Sequence, residues 1–552
     1  MKNNNRFKLD TWGWITLITI AFYALFLLYP MAHLAKMAFF DSETNSFTMG
    51  NFIKFFSKSY YSSTLLNSFK VSIAAAVTSL IVGTPLAYLF TIYKIKGKKT
   101  LQILIIISSM SAPFVGAYSW ILLLGRNGVI TNFLKTLFHF TPPDIYGFGG
   151  ILLVFTTQLF PLIFLYVQGA LHKVDNSLLE ASQNMGCSGA KRFFKIVLPL
   201  ITPTILAGAL LVFMRALADF GTPMLIGEGF RTFPVILYNE FVGEVSQNKG
   251  FASAIAIIAI LITMFIFLVQ KHVSNRKSFS MNSLHPIEEK DIKGLRSVAV
   301  HAFCYIIVGI SILPQVYVIY TSFQNTRGLI FVKGYSLNSY TRMVSKLGNS
   351  IANTIIIPLT ALFFVVLLAV LIAYITVRRR NAMTGLVDVL SMIPYIVPGI
   401  VIGIAMLTSF NKKPLLISGG MLIMVIALII RRLPYTVRSS VAVLHLIPMS
   451  IEEAAISLGS SKLKAFFAIT VPMMASGIIS GAILSWVNMI SELSTAIILY
   501  TVRTQTLTVA IYSQIIRGNY GVAAALATVL TVLTVISLLI LNRVSKGKFT
   551  GM

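Results

Sequence analysis

The chain has 552 residues, of which 56% are hydrophobic and 11% charged, and its mean hydropathy is +0.82. Soluble globules are usually about 45–50% apolar and about 25% charged, so this composition excludes a soluble fold and implies an integral membrane protein. The formal charge of +28 is then expected to orient the spans rather than to bind nucleic acid. Two cysteines, Cys187 and Cys304, indicate neither a disulfide framework nor a metal cluster.

From the N-terminus, a polar and basic segment with Lys2, Arg6 and Lys8 precedes an apolar run from Trp12 to about Leu34. That run is too long for the core of a signal peptide, and no small-residue cleavage site follows Tyr29-Pro30. It is expected to be a retained span that starts inside. Span two is expected near 65–93, closed by Lys94, Lys96, Lys98 and Lys99, and spans three to six near 101–124, 151–170, 204–226 and 251–270. Residues 271–297 are polar and charged, with Arg276, Glu288, Glu289 and Asp291, and read as a cytoplasmic linker between a first repeat, 1–270, and a second, 298–552. The second repeat follows the same plan, with spans near 298–320, 350–377, 384–408, 417–437, 474–497 and 521–541.

The expected fold is therefore all-α, with about 12 transmembrane helices in two parallel six-helix repeats. This topology puts 28 Lys and Arg inside and 15 outside, with Arg431 and Arg432 counted at the inner end of span ten. The bias places both termini in the cytoplasm.

Two inner loops carry one pattern. Glu180, Ala181, Gly186, Ile196 and Pro199 answer Glu453, Ala454, Gly459, Ile469 and Pro472 at a constant offset of 273. Ser177 and Ser450, each three residues before its glutamate, predict a capping box at a helix start. Gly186 and Gly459 predict the positive-φ turn that ends that helix, and Pro199 and Pro472 predict the end of a second helix. Asn67 and Ala87-Tyr88 answer Asn353 and Ala373-Tyr374 at an offset of 286, while Pro161 and Asp219 answer Pro434 and Glu492 at 273. The chain reads as a tandem duplication.

The loop pattern, Glu-Ala-Ala/Ser, three residues, Gly, nine residues, Ile, one residue, Leu/Val, Pro, resembles the EAA loop of ABC importer permeases. The segment Ala216-Leu217-Ala218-Asp219-Phe220-Gly221-Thr222-Pro223 resembles that of the fused ferric-iron-type permeases. The resemblance covers nearly the whole chain and implies a type I ABC importer permease, multi-pass in the bacterial cytoplasmic (inner) membrane. Such a transport subunit has no catalytic residues and no cofactor of its own; ATP is bound by its partner. The resemblance further implies two cytoplasmic ABC ATPase subunits, docking on Glu180, Ala181, Gly186 and Pro199 and on Glu453, Ala454, Gly459 and Pro472. It also implies an extracytoplasmic solute-binding protein. The implied solute is ferric iron, with phosphorylated sugars, phosphonates or another small solute as alternatives.

No helical His-Glu-x-x-His, Cys-x-x-Cys or Gly-x-Ser-x-Gly pattern occurs, so an enzyme is not expected. A secondary transporter would share the duplication but has no need of matched helix-turn-helix loops. Ionisable residues at membrane depth usually face a cavity or a partner, which singles out Arg215 and Asp219 in span five and their counterparts Asn488 and Glu492 in span eleven. Arg215 and Asp219 are one helical turn apart and can pair. In the other reading, Asp219 and Glu492 face each other across the pseudo-twofold axis and line the translocation path or its outer gate.

Overall fold

The computed structural model describes residues 10–41, 44–110, 113–187, 189–243, 248–276, 285, 287–328 and 330–544; the basic N-terminal segment and much of the expected linker lie outside them. The described chain is helical apart from two isolated bridges and one hairpin, Gln324–Arg327 with Ile330–Tyr335. Eight helices are long and apolar enough to cross a membrane unbroken: Thr11–Phe39, Ser59–Ile92, Phe148–Leu171, Phe193–Ala218, Lys249–Gln270, Gly294–Ser322, Asn338–Arg378 and Tyr520–Ile540. They occupy the places of spans one, two, four to eight and twelve.

Spans three, nine and eleven are bent pairs rather than straight helices. Lys98–Ser109 meets Phe114–Phe138 at 102°, Ala382–Ile396 meets Gly399–Ser409 at 109°, and Lys462–Met473 meets Ala475–Ile490 at 68°. In span nine the chain leaves the helix at Val397, ψ 128°, because the Pro398 ring disfavours helical geometry in the residue before it. Met421–Leu446 takes the place of span ten, with Arg431, Arg432 and Arg438 interrupting its apolar run.

Pro199 does not stop its helix as the sequence predicts, whereas the helix through Pro472 does end there, one residue on at Met473. Phe193–Val197 and Phe466–Thr470 are π turns, closed by the amides of Leu198 and Val471 on the carbonyls of Phe193 and Phe466. The wider turn accommodates the proline ring and its missing N–H, so the chain stays helical through each proline, as far as Ala218 after Pro199 but only to Met473 after Pro472. The same arrangement precedes Pro30, at Ala24–Leu28.

The two repeats interlock by exchanging their first spans. Span one packs on spans eight and nine of the second repeat; its buried Trp12 lies 4.2 Å from the Tyr374 ring and 5.0 Å from that of Phe466. Span seven in turn packs on both arms of span three.

The described end of the linker is seated on the first repeat. Lys290 donates its amide to Ile92 O at 2.7 Å, and Lys94 and Lys98 pair with Asp291 and Glu289 at 3.1 and 2.5 Å. His285 O accepts the Asn176 amide at 2.9 Å, so this strap reaches the start of the first EAA helix.

Candidate functional site

Each inner loop is a helix, a glycine turn and a second helix. In the first, Asn176–Asn184 is capped by Asp175, whose side chain accepts the Ser177 amide at 2.9 Å; in the second, Met449–Ser457 follows Pro448 without a side-chain cap. The capping boxes predicted at Ser177 with Glu180 and Ser450 with Glu453 are not formed. Asp175 and Pro448 start the helices earlier, which leaves both serines inside the first turn. Gly186 and Gly459 take φ of +79° and +93°. Beyond them the amides of Cys187 and Ser460 reach back to Ser182 O and Ala455 O at 2.9 and 3.0 Å, the six-to-one bond of a Schellman turn.

One face of each loop helix is pinned and the other is free. Leu179 is buried in an apolar cluster, whereas its counterpart Glu452 is buried against Arg378 Nε at 3.1 Å and Tyr374 Oη at 3.0 Å. Glu180, Ala181, Glu453 and Ala454 are exposed, and the equivalent residues Met185 and Leu458 are 85% and 90% exposed. Large apolar side chains left open at the same place on two helices mark a surface for a partner.

In the membrane, span five ends at Ala218 and the helix of span eleven at Ile490, and the short helices Gly221–Ile226 and Ala496–Leu499 follow. Asp219 accepts the Thr222 amide at 2.9 Å and Glu492 the Thr495 amide at 3.0 Å, so each acid caps the chain after its break. The segments beyond are latched to spans two and eight. Asn67 donates to Arg231 O at 3.1 Å and Ser68 Oγ accepts the Phe233 amide at 2.8 Å. At the equivalent positions Asn353 donates to Arg503 O at 2.9 Å and Thr354 Oγ1 accepts the Leu507 amide at 2.7 Å. The two breaks meet between the repeats: a Cβ built on Gly221 would lie 3.0 Å from Phe114 Cβ and 3.4 Å from Leu493 Cδ2. Phe220 and its counterpart Leu493 are both buried there, which makes an apolar seal.

The acids have unlike surroundings. Glu492, 6% exposed, is ion-paired with both Arg431 and Arg432, and Arg431 also donates to Thr495 Oγ1 at 2.8 Å. One carboxylate between two guanidiniums leaves a surplus positive charge. Gln158 and Leu159 stand at the equivalent positions in the first repeat, and Asp219 makes no ion pair among the described residues.

The expected Arg215–Asp219 pair is absent as well. The helix ends before Asp219, whose ψ of 128° takes it off the face that carries Arg215. Arg215 is exposed and within electrostatic reach of Tyr166 in span four and Tyr395 in span nine. Asn488 donates to Leu484 O of its own helix at 2.7 Å.

The sequence matches the family of binding-protein-dependent transport system inner membrane components twice, over residues 79–279 and 365–549. The chain belongs to this family. The ferric transport system permease protein FbpB of Actinobacillus pleuropneumoniae is 27% identical to this permease over 530 residues, 94% of this chain and 75% of that one. The probable ABC transporter permease protein y4fN of Sinorhizobium fredii is 25% identical over 557 residues, 97% of each chain. The spermidine/putrescine transport system permease protein PotB of Haemophilus influenzae is 27% identical over 286 residues, 97% of its own length but 50% of this chain, one repeat against two. The chain is thus a multi-pass inner membrane permease of an ABC importer.

In this permease Arg431 and Arg432 are not at the inner end of span ten. They are held in mid-helix by Glu492, and without them the inside count of Lys and Arg is 26 against 15. Glu492 therefore turns into its own repeat instead of facing Asp219. The clue in the sequence is adjacent arginines in the middle of an apolar run, which are costly in a membrane unless paired. The Glu452–Arg378 anchor was equally unforeseen; its trace is the extra acid beside Glu453, where the first repeat has Leu179.

Proposed function

We propose that the chain is the membrane-spanning subunit of an importer for ferric iron, energised by two cytoplasmic ABC ATPase subunits and supplied by an extracytoplasmic solute-binding protein. One ATPase docks on Glu180, Ala181 and Gly186 and the other on Glu453, Ala454 and Gly459, with ATP bound and hydrolysed in the partners and no cofactor in this chain. Pro199 and Pro472 hold the helices that carry the motion into spans five and eleven. Both termini face the cytoplasm, in line with the basic bias. Closure of the ATPase pair moves the two loop helices and their repeats as rigid bodies and opens the path outward; hydrolysis resets it.

The observation that carries this reading is the matched pair of loop helices, pinned inward by Leu179 or Glu452 and open outward at Met185 or Leu458. Ferric iron is favoured because relatives aligned across both repeats are named for ferric transport. The test is radioiron uptake by cells that express the chain with its ATPase and binding protein, before and after ATP depletion, and co-purification of the ATPase. Uptake that survives ATP depletion would make the chain a secondary transporter. ATP-dependent uptake of another solute, without iron, would retain the importer and discard the metal.

A further inference from the structure

The loop between spans three and four carries a helix, Val129–Phe138, that ends at His139 with φ +50°. At about 3.6 residues per turn, its apolar side chains Val129, Ile130, Phe133, Leu134, Leu137 and Phe138 fall on one half and Thr131, Asn132, Lys135 and Thr136 on the other. A helix of a soluble fold packs its apolar half against the core. This one packs by a flank, with Thr131 buried and Ile130 and Leu134 half-buried. The row Val129, Phe133 and Leu137 is left 48%, 57% and 59% exposed, and Phe138 and Phe140 beside it 63% and 54%. The polar side is turned the other way, where Asn132 Nδ2 donates to Asn127 O at 3.2 Å and Lys135 Nζ to Arg126 O at 3.5 Å.

The chain around this helix fixes its depth. Span four, Phe148–Leu171, has 24 residues and is about 36 Å long; its Leu171 end leads into the first EAA loop, so the loop before Phe148 lies on the opposite side of the membrane. Only Gly125 to Gly128 separate the helix from Leu124 at the end of span three, and the Gly128 amide folds back on Gly125 O at 2.8 Å. The helix therefore starts at the membrane boundary, where the interfacial zone is about 5–7 Å thick. Arg126 closes the base of the loop, paired with Asp144 and Glu228 at 2.9 Å each and lying 4.7 Å over the Tyr146 ring. The charged side chains of this loop, Arg126, Lys135, Asp144 and Glu228, stand at its base or on its polar side, and none interrupts the apolar row. The helix is also built once. Between Ser409 and Met421 the second repeat makes turns only, and the first repeat's extra length accounts for the drop in offset from 286 to 273.

We infer that Val129–Phe138 is an interfacial anchor. It lies along the membrane surface opposite the EAA loops, with Val129, Phe133, Leu137, Phe138 and Phe140 in the boundary between headgroups and acyl chains and with Asn132, Lys135 and Thr136 in water. Lipid is the occupant that suits this row: a soluble partner that docks and leaves presents a mixed surface, only about 56–58% apolar, whereas these five side chains offer no hydrogen-bonding group. Through Arg126 and Glu228 the anchored loop holds the chain just beyond the break in span five. On the importer reading this is the outer leaflet; the anchor itself does not depend on that reading.

The test is spin-label accessibility in the whole permease, reconstituted in phosphatidylcholine vesicles after Cys187 and Cys304 are changed to serine. A nitroxide is attached singly at Phe133→Cys or Leu137→Cys in the apolar row, or at Thr136→Cys on the polar side. Collisions with oxygen, which concentrates in hydrocarbon, are compared with collisions with a water-soluble nickel chelate present on both sides of the vesicle. The oxygen-to-nickel ratio should be severalfold higher at Phe133 and Leu137 than at Thr136. Equal ratios at all three positions, or labels at Phe133 and Leu137 that meet nickel more than oxygen, overturn the anchor. Labels there that are open to nickel until purified solute-binding protein is added, and shielded from both probes afterwards, assign the row to that protein and overturn the lipid contact. If Phe133→Cys or Leu137→Cys does not accumulate, Val129→Cys in the same row is read by the same criterion.

Discussion

Glu492→Gln removes the only negative charge from a buried group of three. Glu492 and Arg432 are 6% and 8% exposed, and the carboxylate serves Arg431, Arg432 and the Thr495 amide together. Removing one partner of a buried pair costs about 3–5 kcal/mol, because the uncompensated charge stays behind. Here two guanidiniums stay behind on consecutive residues, so the upper end of that range is expected. Arg432→Met is the internal comparison. It leaves a neutral Arg431–Glu492 pair and removes a guanidinium whose Nε has no partner, so its effect should be within about 1 kcal/mol. Asp219→Asn, at the equivalent position, keeps an Oδ1 acceptor for the Thr222 amide, and asparagine caps about as well as aspartate, so its effect should be within about 0.5 kcal/mol. The assay is thermal unfolding of the detergent-solubilised permease, followed by size-exclusion of a fluorescent fusion. The midpoints of Arg432→Met and Asp219→Asn should lie close to that of the wild type, and that of Glu492→Gln well below all three. A wild-type midpoint for Glu492→Gln, or one for Arg432→Met as low as that of Glu492→Gln, would refute the view that this carboxylate neutralises the cluster.

Gly186→Glu and Gly459→Glu place a side chain where φ is +79° and +93° with nothing within 4 Å, so the effect is backbone strain of about 1–2 kcal/mol rather than a clash. Uptake and ATPase co-purification should fall at normal permease abundance, and normal transport by both variants would show that the loops do not couple. Glu452→Gln leaves Arg378 short of its charge partner and should loosen the second loop alone, by about 3 kcal/mol; pull-down of the ATPase should weaken, and wild-type retention would make the anchor dispensable. With Cys187 and the buried Cys304 first changed to serine, Asn45→Cys and Asn282→Cys test orientation, the latter outside the described residues. An impermeant thiol reagent on intact cells should label Asn45→Cys only, and labelling of Asn282→Cys instead would invert the topology.

Features with local causes were legible in the sequence. A bilayer core forces each crossing to satisfy its own backbone, so long apolar runs announce helices and their basic ends announce orientation. Gly186 and Gly459 announce their turns because few other residues take positive φ at little cost. The offset of 273 between Glu180 and Glu453 carries the duplication without reference to any contact.

What only the tertiary structure decided has distant causes. The breaks at Asp219 and Glu492 lie inside apolar runs that read as uninterrupted helix. At the breaks Asp219 and Glu492 cap the Thr222 and Thr495 amides and Thr508 Oγ1 donates to Glu492 O at 2.8 Å, and the segments beyond are held by Asn67, Ser68, Asn353 and Thr354 from 150 or more residues away. Glu492 reads as a path residue until Arg432, 60 residues earlier, is found against it. Trp12 reads as part of the first repeat until its ring is found on Tyr374 of the second. A freed amide, a buried charge and an apolar ring each need a partner in a medium without water, and which partner each finds depends on how the repeats fold together, which no local pattern records.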